Sequence, residues 1–232
     1  GGVFVALVSP VLFSALVEVR LALLAIYLLG VYVLIEAGRG LRPARQRWFR
    51  WATVSAIVAS TLCVAYGQRA GRIASTIHAS RNFYGVLAVS ERDVDLVKHL
   101  RTLYHGRIMH GAQMMRPELR KIPTTHFTFD SGVGIAIRAM RETRRAGDAK
   151  AEPLRIGAVG LGVGTMAAHG RDGDVLRFYE IDPNVVDIAR RYFTFLGDSA
   201  ADVEVIIGDA RITIQSEEPQ RYDVLVLDAF SG

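Results

Sequence analysis

Three acidic residues recur at one kind of position. Glu180, Asp209 and Asp228 each follow an apolar, strand-like stretch, and a fourth such stretch runs into Gly160-Leu161-Gly162-Val163-Gly164. Glycines at 160, 162 and 164 let a strand bend tightly while its backbone comes close to a ligand. Glu180 stands 20 residues after Gly160, where a carboxylate can accept both hydroxyls of a ribose. Asp209-Ala210 could meet an adenine edge, although Asp209 could equally cap a short helix. Asp228 could hold a cationic amine and take its proton, the alternative being an aspartate that caps the next turn. An alkylamine with a pKa near ~10.4 is protonated at neutral pH, and freeing it costs about 4–5 kcal/mol. An acid acting as base and electrostatic partner offsets part of that cost. Together the acids point to a nucleoside-bearing ligand. The loop lacks G-x-G-x-x-G spacing and no Walker lysine follows it, so a dinucleotide is not indicated. The six histidines show no metal-ligand spacing, and His105 and His110, five apart around a turn, read as surface or packing residues. A single cysteine, Cys63, excludes a disulfide scaffold and a multi-thiolate metal centre.

These residues need a frame that brings strand ends together. Apolar segments at 154–159, 175–181, 203–207 and 222–227 predict strands, and 165–169 and 184–196 predict helices between them. Strand alternating with helix predicts an α/β fold, a Rossmann-like (class I methyltransferase-type) parallel sheet whose ligands bind beyond the carboxyl ends of its strands. Ahead of it, short segments at 83–89, 96–104 and 107–114, punctuated by Gly85, Gly106 and Gly111, predict a small antiparallel sheet, and 132–145 has helical spacing.

The N-terminal third is different. Half of the 232 residues are hydrophobic, and uncharged runs occupy 1–17, 21–35 and 51–67. With Trp48, Phe49 and Trp51 at the start of the third run, they predict about three transmembrane helices over 1–67. Residues 68–81 read as a linker, 82–130 as the β-domain and 131–232 as the nucleoside-binding domain. Net charge divides likewise, +7 over residues 1–81 and −2 over 82–232, which argues against a nucleic-acid-binding face on the second part. Five arginines between the second and third runs, against three after the third, favour a cytoplasmic second connection and so a C-terminal domain on the non-cytoplasmic side, whereas cofactor chemistry of this kind favours the cytosol.

The segments Arg81-Asn82-Phe83-Tyr84-Gly85-Val86-Leu87, His110-Gly111-Ala112-Gln113, Asp130-Ser131-Gly132-Val133-Gly134, the glycine loop, Glu180-Ile181-Asp182, Gly208-Asp209-Ala210 and Asp228-Ala229-Phe230-Ser231 together resemble the spermidine synthase (polyamine aminopropyltransferase) family, in its membrane-fused bacterial branch. The resemblance covers residues from about 80 to 232. It implies that Gln113, Glu180, Asp209 and Ala210, with Asp182 and the loop glycines, bind decarboxylated S-adenosylmethionine as co-substrate. It implies that Asp228 accepts the proton of the attacking amine, without a metal. Expected partners are putrescine or another polyamine, the lipid bilayer and a second copy of the chain, but not nucleic acid. The expected location is the bacterial inner membrane, multi-pass, with the catalytic domain in the cytoplasm. Both ends of the chain look cut, and further strands would follow the fourth. Three positions depart from the family: Val163 and Ser231 stand where the soluble enzymes carry aspartates, and His126-Phe127-Thr128-Phe129 replaces a Tyr-x-Glu segment. All three lie on the amine side. Two other functions suit the same frame: a small-molecule methyltransferase using intact S-adenosylmethionine, and a non-catalytic membrane sensor. No Arg or Lys lies between Gly157 and His169 to meet the carboxylate of the intact form, which favours the decarboxylated one.

Overall fold

The computed structural model describes residues 17–38, 48, 51–60, 75–94, 98–147 and 152–229. The chain divides into two units, Gly1–Ser75 and Thr76–Gly232.

In the first unit, α1 (Val17–Gly38) and a helical segment over 51–60 are joined by hydrogen bonds. Tyr27 donates its hydroxyl to the Ile57 carbonyl at 3.3 Å, and Ser60 Oγ donates to the Tyr27 hydroxyl at 3.0 Å. Leu24, Ile26, Leu28 and Leu29 of α1 are exposed. Among the described residues no helix is long and apolar enough to cross a membrane; the expectation of about three transmembrane helices over 1–67 rests in large part on residues outside them. Glu18, Arg20 and Glu36 leave α1 only the uncharged stretch 21–35, about 22 Å at ~1.5 Å per residue, against a hydrocarbon core of ~30 Å. Most of the run at 1–17, and residues 61–67 of the third run, lie outside the described residues.

The second unit opens with a four-stranded sheet in the order β1 (Ser75–Asn82), β2 (Gly85–Arg92), β3 (Leu100–His105), β4 (Ile108–Met114). β2 pairs antiparallel with β3 from Leu87↔His105 to Arg92↔Leu100, and β3 pairs antiparallel with β4, with a register shift between Leu103 and Tyr104. Alternation buries Leu87, Val89 and Leu103 on one face. β1 occupies residues that the sequence reads as linker. It is an outer strand whose first three residues are exposed, so Ser75, Thr76, His78 and Arg81 carry no apolar alternation to announce it.

The second sheet is parallel, in the order β7 (Asp202–Ile207), β6 (Val175–Glu180), β5 (Arg155–Val159), β8 (Val224–Leu227). This is the predicted Rossmann-like arrangement, and strand order reverses between β5 and β8. α2 (Gly132–Gly147) buries Ile137 in the core. α3 (Pro183–Tyr192) starts with proline in its first turn and buries Val185, Val186, Ile188 and Ala189. The predicted helix over 184–196 stops early because Phe193 and Phe195 both turn into the core, so the chain runs extended at Phe193 before the short α4 (Phe195–Asp198). Between β5 and β6 the connection holds one five-residue 3-10 turn, Thr165–His169. Asp174, almost fully buried, closes that connection by accepting from the Leu154 and Arg171 amides at 2.8 Å each and pairing with Arg141 at 2.5 Å. α5 (Ala210–Ser216) links β7 to β8.

Candidate functional site

Pairing aligns the carboxyl ends of the strands: Val159 lies opposite Tyr179 and Leu227, and Glu180 opposite Ile207. Backbone bonds carry the ladder one residue further. Gly160 N–H donates to the Tyr179 carbonyl at 2.8 Å, Asp228 N–H to the Val159 carbonyl at 2.9 Å, and Gly208 N–H to the Glu180 carbonyl at 2.8 Å. The glycine bend and all three acids therefore stand on one rim of the sheet.

Two of the glycines are required by close approach. Gly160 has φ +96° and a β-carbon there would lie 2.6 Å from the Asp228 carbonyl oxygen; Gly162 has φ +54° and a β-carbon would lie 2.6 Å from the His110 carbonyl oxygen. The bend is thus wedged between the end of β8 and the backbone of β4. Gly164 opens the 3-10 turn against Leu196. Val163 is buried, and its methyl groups fill the space where Gly111 lacks a β-carbon. The position that departs from the family pattern is therefore part of the core.

Glu180 is buried and ties the rim together. Its carboxylate accepts from the Leu161 amide at 3.0 Å and from the Asp182 amide at 2.9 Å. Burial pushes its pKa above the ordinary value, and Asp182 pushes the same way, while the surrounding amides pull it down. A carboxylate fixed by two amides keeps further lone pairs for ribose hydroxyls. Asp182 caps α3 by accepting from the Asn184 amide at 2.9 Å and accepts from Asn82 Nδ2 at 2.6 Å; its Oδ2 is buried without a partner. Asn82 in turn accepts from the Tyr84 amide at 2.9 Å, so the turn after β1 is pinned to the start of α3.

Gln113 is fully buried. Its amide donates to the Arg120 carbonyl and to Thr194 Oγ1, both at 2.8 Å, and its oxygen accepts from the Thr194 amide at 2.9 Å. With both N–H groups engaged it clamps β4 to the chain reversal after α3. Asp209 is exposed and accepts from the Ile212 amide at 3.1 Å. That is the capping role, with Ala210 as first residue of the helix. Asp228 keeps its carboxylate partly exposed, with His126 Nε2 at 3.4 Å from Oδ2. Sequence reasoning gave His126 no role, because its partner lies 102 residues away. Ser231 lies outside the described residues. Among the described residues no group of three or more His, Cys, Asp or Glu could hold a metal ion. A groove of about 400 Å³ lined by Phe129, Ile137, Arg138, Arg141 and Arg171, among others, includes none of the rim acids.

No family model matches the chain. Over 86 residues, 35% of this chain and 28% of the relative, it is 38% identical to a polyamine aminopropyltransferase of Vibrio vulnificus (strain CMCP6). Among solved structures it is similar to spermidine synthase from Thermotoga maritima, with 13% identity and a TM-score of 0.46 over 68% of this chain and 47% of that one. It is also similar to a probable spermidine synthase from Corynebacterium glutamicum ATCC 13032, with 21% identity and a TM-score of 0.45 over 69% and 53%. The match spans under a third of the curated relative, and the chain covers about half of each solved structure.

Proposed function

We propose that this chain carries the nucleoside-binding half of an aminopropyltransferase-like enzyme, moving an aminopropyl group from decarboxylated S-adenosylmethionine to an amine acceptor. The observation that carries this reading is the place of Asp228: its backbone is pinned to the glycine bend across the strand-order reversal, and its carboxylate is a quarter exposed. The local similarity to a polyamine aminopropyltransferase supports it.

In this reading the glycine bend lets the nucleoside approach the backbone, and Glu180, fixed by Leu161 and Asp182, presents its free lone pairs to the ribose. Asp228 draws the acceptor's ammonium in and takes its proton. The freed nitrogen attacks the propyl carbon next to the sulfonium, the carbon–sulfur bond breaks, and methylthioadenosine leaves. Because Val163 is buried against Gly111, position 163 gives no anionic contact to the acceptor. The reacting amine is then held chiefly by Asp228, and it is the local similarity to a polyamine aminopropyltransferase that supports putrescine or another polyamine as the acceptor class.

Incubating the full-length protein with decarboxylated or intact S-adenosylmethionine and a panel of amines, with products read by mass, tests this. Methylthioadenosine with an aminopropylated amine is the expected outcome. A methylated amine without methylthioadenosine would assign the fold to a methyltransferase instead.

A further inference from the structure

The 3-10 turn Thr125–Phe127 delivers His126 to the end of β8. Its Nε2 lies 3.4 Å from Asp228 Oδ2, with the imidazole 53% exposed and the carboxylate 26% exposed. The ring rests on Phe127, centroids 4.4 Å apart. Two more imidazoles stand behind Asp228. His110, at β4, is partly buried, and His105, at the end of β3, has its ring 5.2 Å from that of His110. His105 Nε2 is engaged with the Tyr84 carbonyl at 2.8 Å. Burial holds His110 below its ordinary value; His105 and His126 act in the same direction and Asp228 against it. His126 is thus the member of the group that touches both the carboxylate and water.

We propose that His126 is the proton-relay partner of Asp228, a positioning residue that carries the acceptor's proton from the rim to solvent. The proposal rests on the amine-transfer reading above. Each turnover must release one proton. The N–H bond of the acceptor ammonium breaks and its proton passes to Asp228. The nitrogen lone pair forms the bond to the propyl carbon, and the carbon–sulfur electron pair stays on sulfur, which leaves neutral. Asp228 then passes the proton to His126 Nε2, with the resident imidazole proton on Nδ1, and the ring gives it to water. Imidazole as a class is a stronger base than a carboxylate, so the ring is the better final acceptor of the proton. A protonated His126 would repel the incoming ammonium and occupy Asp228, so transfer needs the neutral ring.

The test uses the full-length protein and its His126→Gln, His126→Ala and Asp228→Asn variants, with decarboxylated S-adenosylmethionine and the best amine. His126→Gln is expected to lower kcat roughly 100-fold, to leave KM for the nucleoside co-substrate unchanged, and to alter the pH dependence of kcat. Free imidazole is expected to restore part of the rate of His126→Ala. A His126→Gln enzyme with wild-type rate and pH profile, or no imidazole rescue, overturns the relay. In NMR spectra at one pH the His126 ring resonances are expected to move in Asp228→Asn relative to wild type, and identical ring resonances overturn the pair without recourse to turnover. A wild-type protein that forms no methylthioadenosine with any amine overturns the transfer reading and the relay with it. One that does, with an indifferent His126→Gln, overturns the relay alone.

Discussion

A β-carbon on Gly160 would sit 2.6 Å from the carbonyl oxygen of Asp228. The glycine bend proposed to admit the nucleoside and the acid proposed to receive the proton are therefore backbone neighbours. Gly160→Ala must both adopt φ near +96° and push the end of β8 away. A loss of more than ~1 kcal/mol is expected in urea denaturation, together with loss of methylthioadenosine formation.

Asp228→Asn keeps the shape of the side chain and removes its basicity. Its kcat is expected to fall roughly 10²- to 10⁴-fold. KM for decarboxylated S-adenosylmethionine should stay within about threefold, since the loss is confined to the transition state. Steady-state kinetics on the two proteins check this.

Glu180→Gln replaces an acceptor of two amides by a group that can accept at one and must turn N–H toward the other. Faster hydrogen exchange at the Leu161 amide is expected, with methylthioadenosine binding weaker by about 1–2 kcal/mol, roughly 5- to 30-fold. Burial raises folded Glu180 above 4.5, so the native state keeps this proton longer than the unfolded chain. Its contribution to stability falls as pH rises from 4.5 through the folded value, and the variant should lose that slope.

His169 is buried and its Nε2 meets the Phe127 carbonyl at 2.7 Å. Burial, aided by Arg141 and opposed by that carbonyl, holds it below 6.5. The unfolded chain therefore takes up the proton first. Stability from this group is complete above 6.5 and is lost as pH falls from there toward the folded value. Urea midpoints measured from about pH 8 down to about pH 5 should decline in wild type and decline less in His169→Gln.

Asp174→Asn is expected to be the most destabilising of these changes. Burial alone would raise Asp174, but Arg141 and the Leu154 and Arg171 amides hold it below 3.8. Without the charge, Arg141 is left largely buried and uncompensated, a loss of about 3–5 kcal/mol by thermal or urea unfolding. In wild type this contribution is present above 3.8 and is lost as pH falls through the folded value.

The parallel sheet was legible because each of its strands is an apolar run ended by glycine or acid, a pattern that needs only neighbouring residues. β1 was not, since an outer strand such as Ser75–Asn82 buries too little to leave an alternation. The helix predicted over 184–196 ends at Tyr192, because its apolar spacing continues into Phe193 and Phe195, which pack by leaving the helix. At the site, the positions of Gly160, Glu180 and Asp228 on one rim follow from strand ends alone. What their side chains touch does not: Gln113 meets Thr194, Asn82 meets Asp182 and His126 meets Asp228 across 81, 100 and 102 residues. Asp209 combined both readings in one residue, and the local one, a cap on Ile212, describes its bond.

The brevity of the segment Thr165–His169 sets the charge preference of the rim. A long helix leaving a glycine bend would aim its macrodipole at the ligand and reward a pyrophosphate. A single 3-10 turn offers almost no such field, so the sign is set by Glu180, Asp209 and Asp228. A sulfonium carrying a free ammonium tail suits that environment, and flavin or nicotinamide dinucleotides should be turned away by electrostatics before shape is consulted.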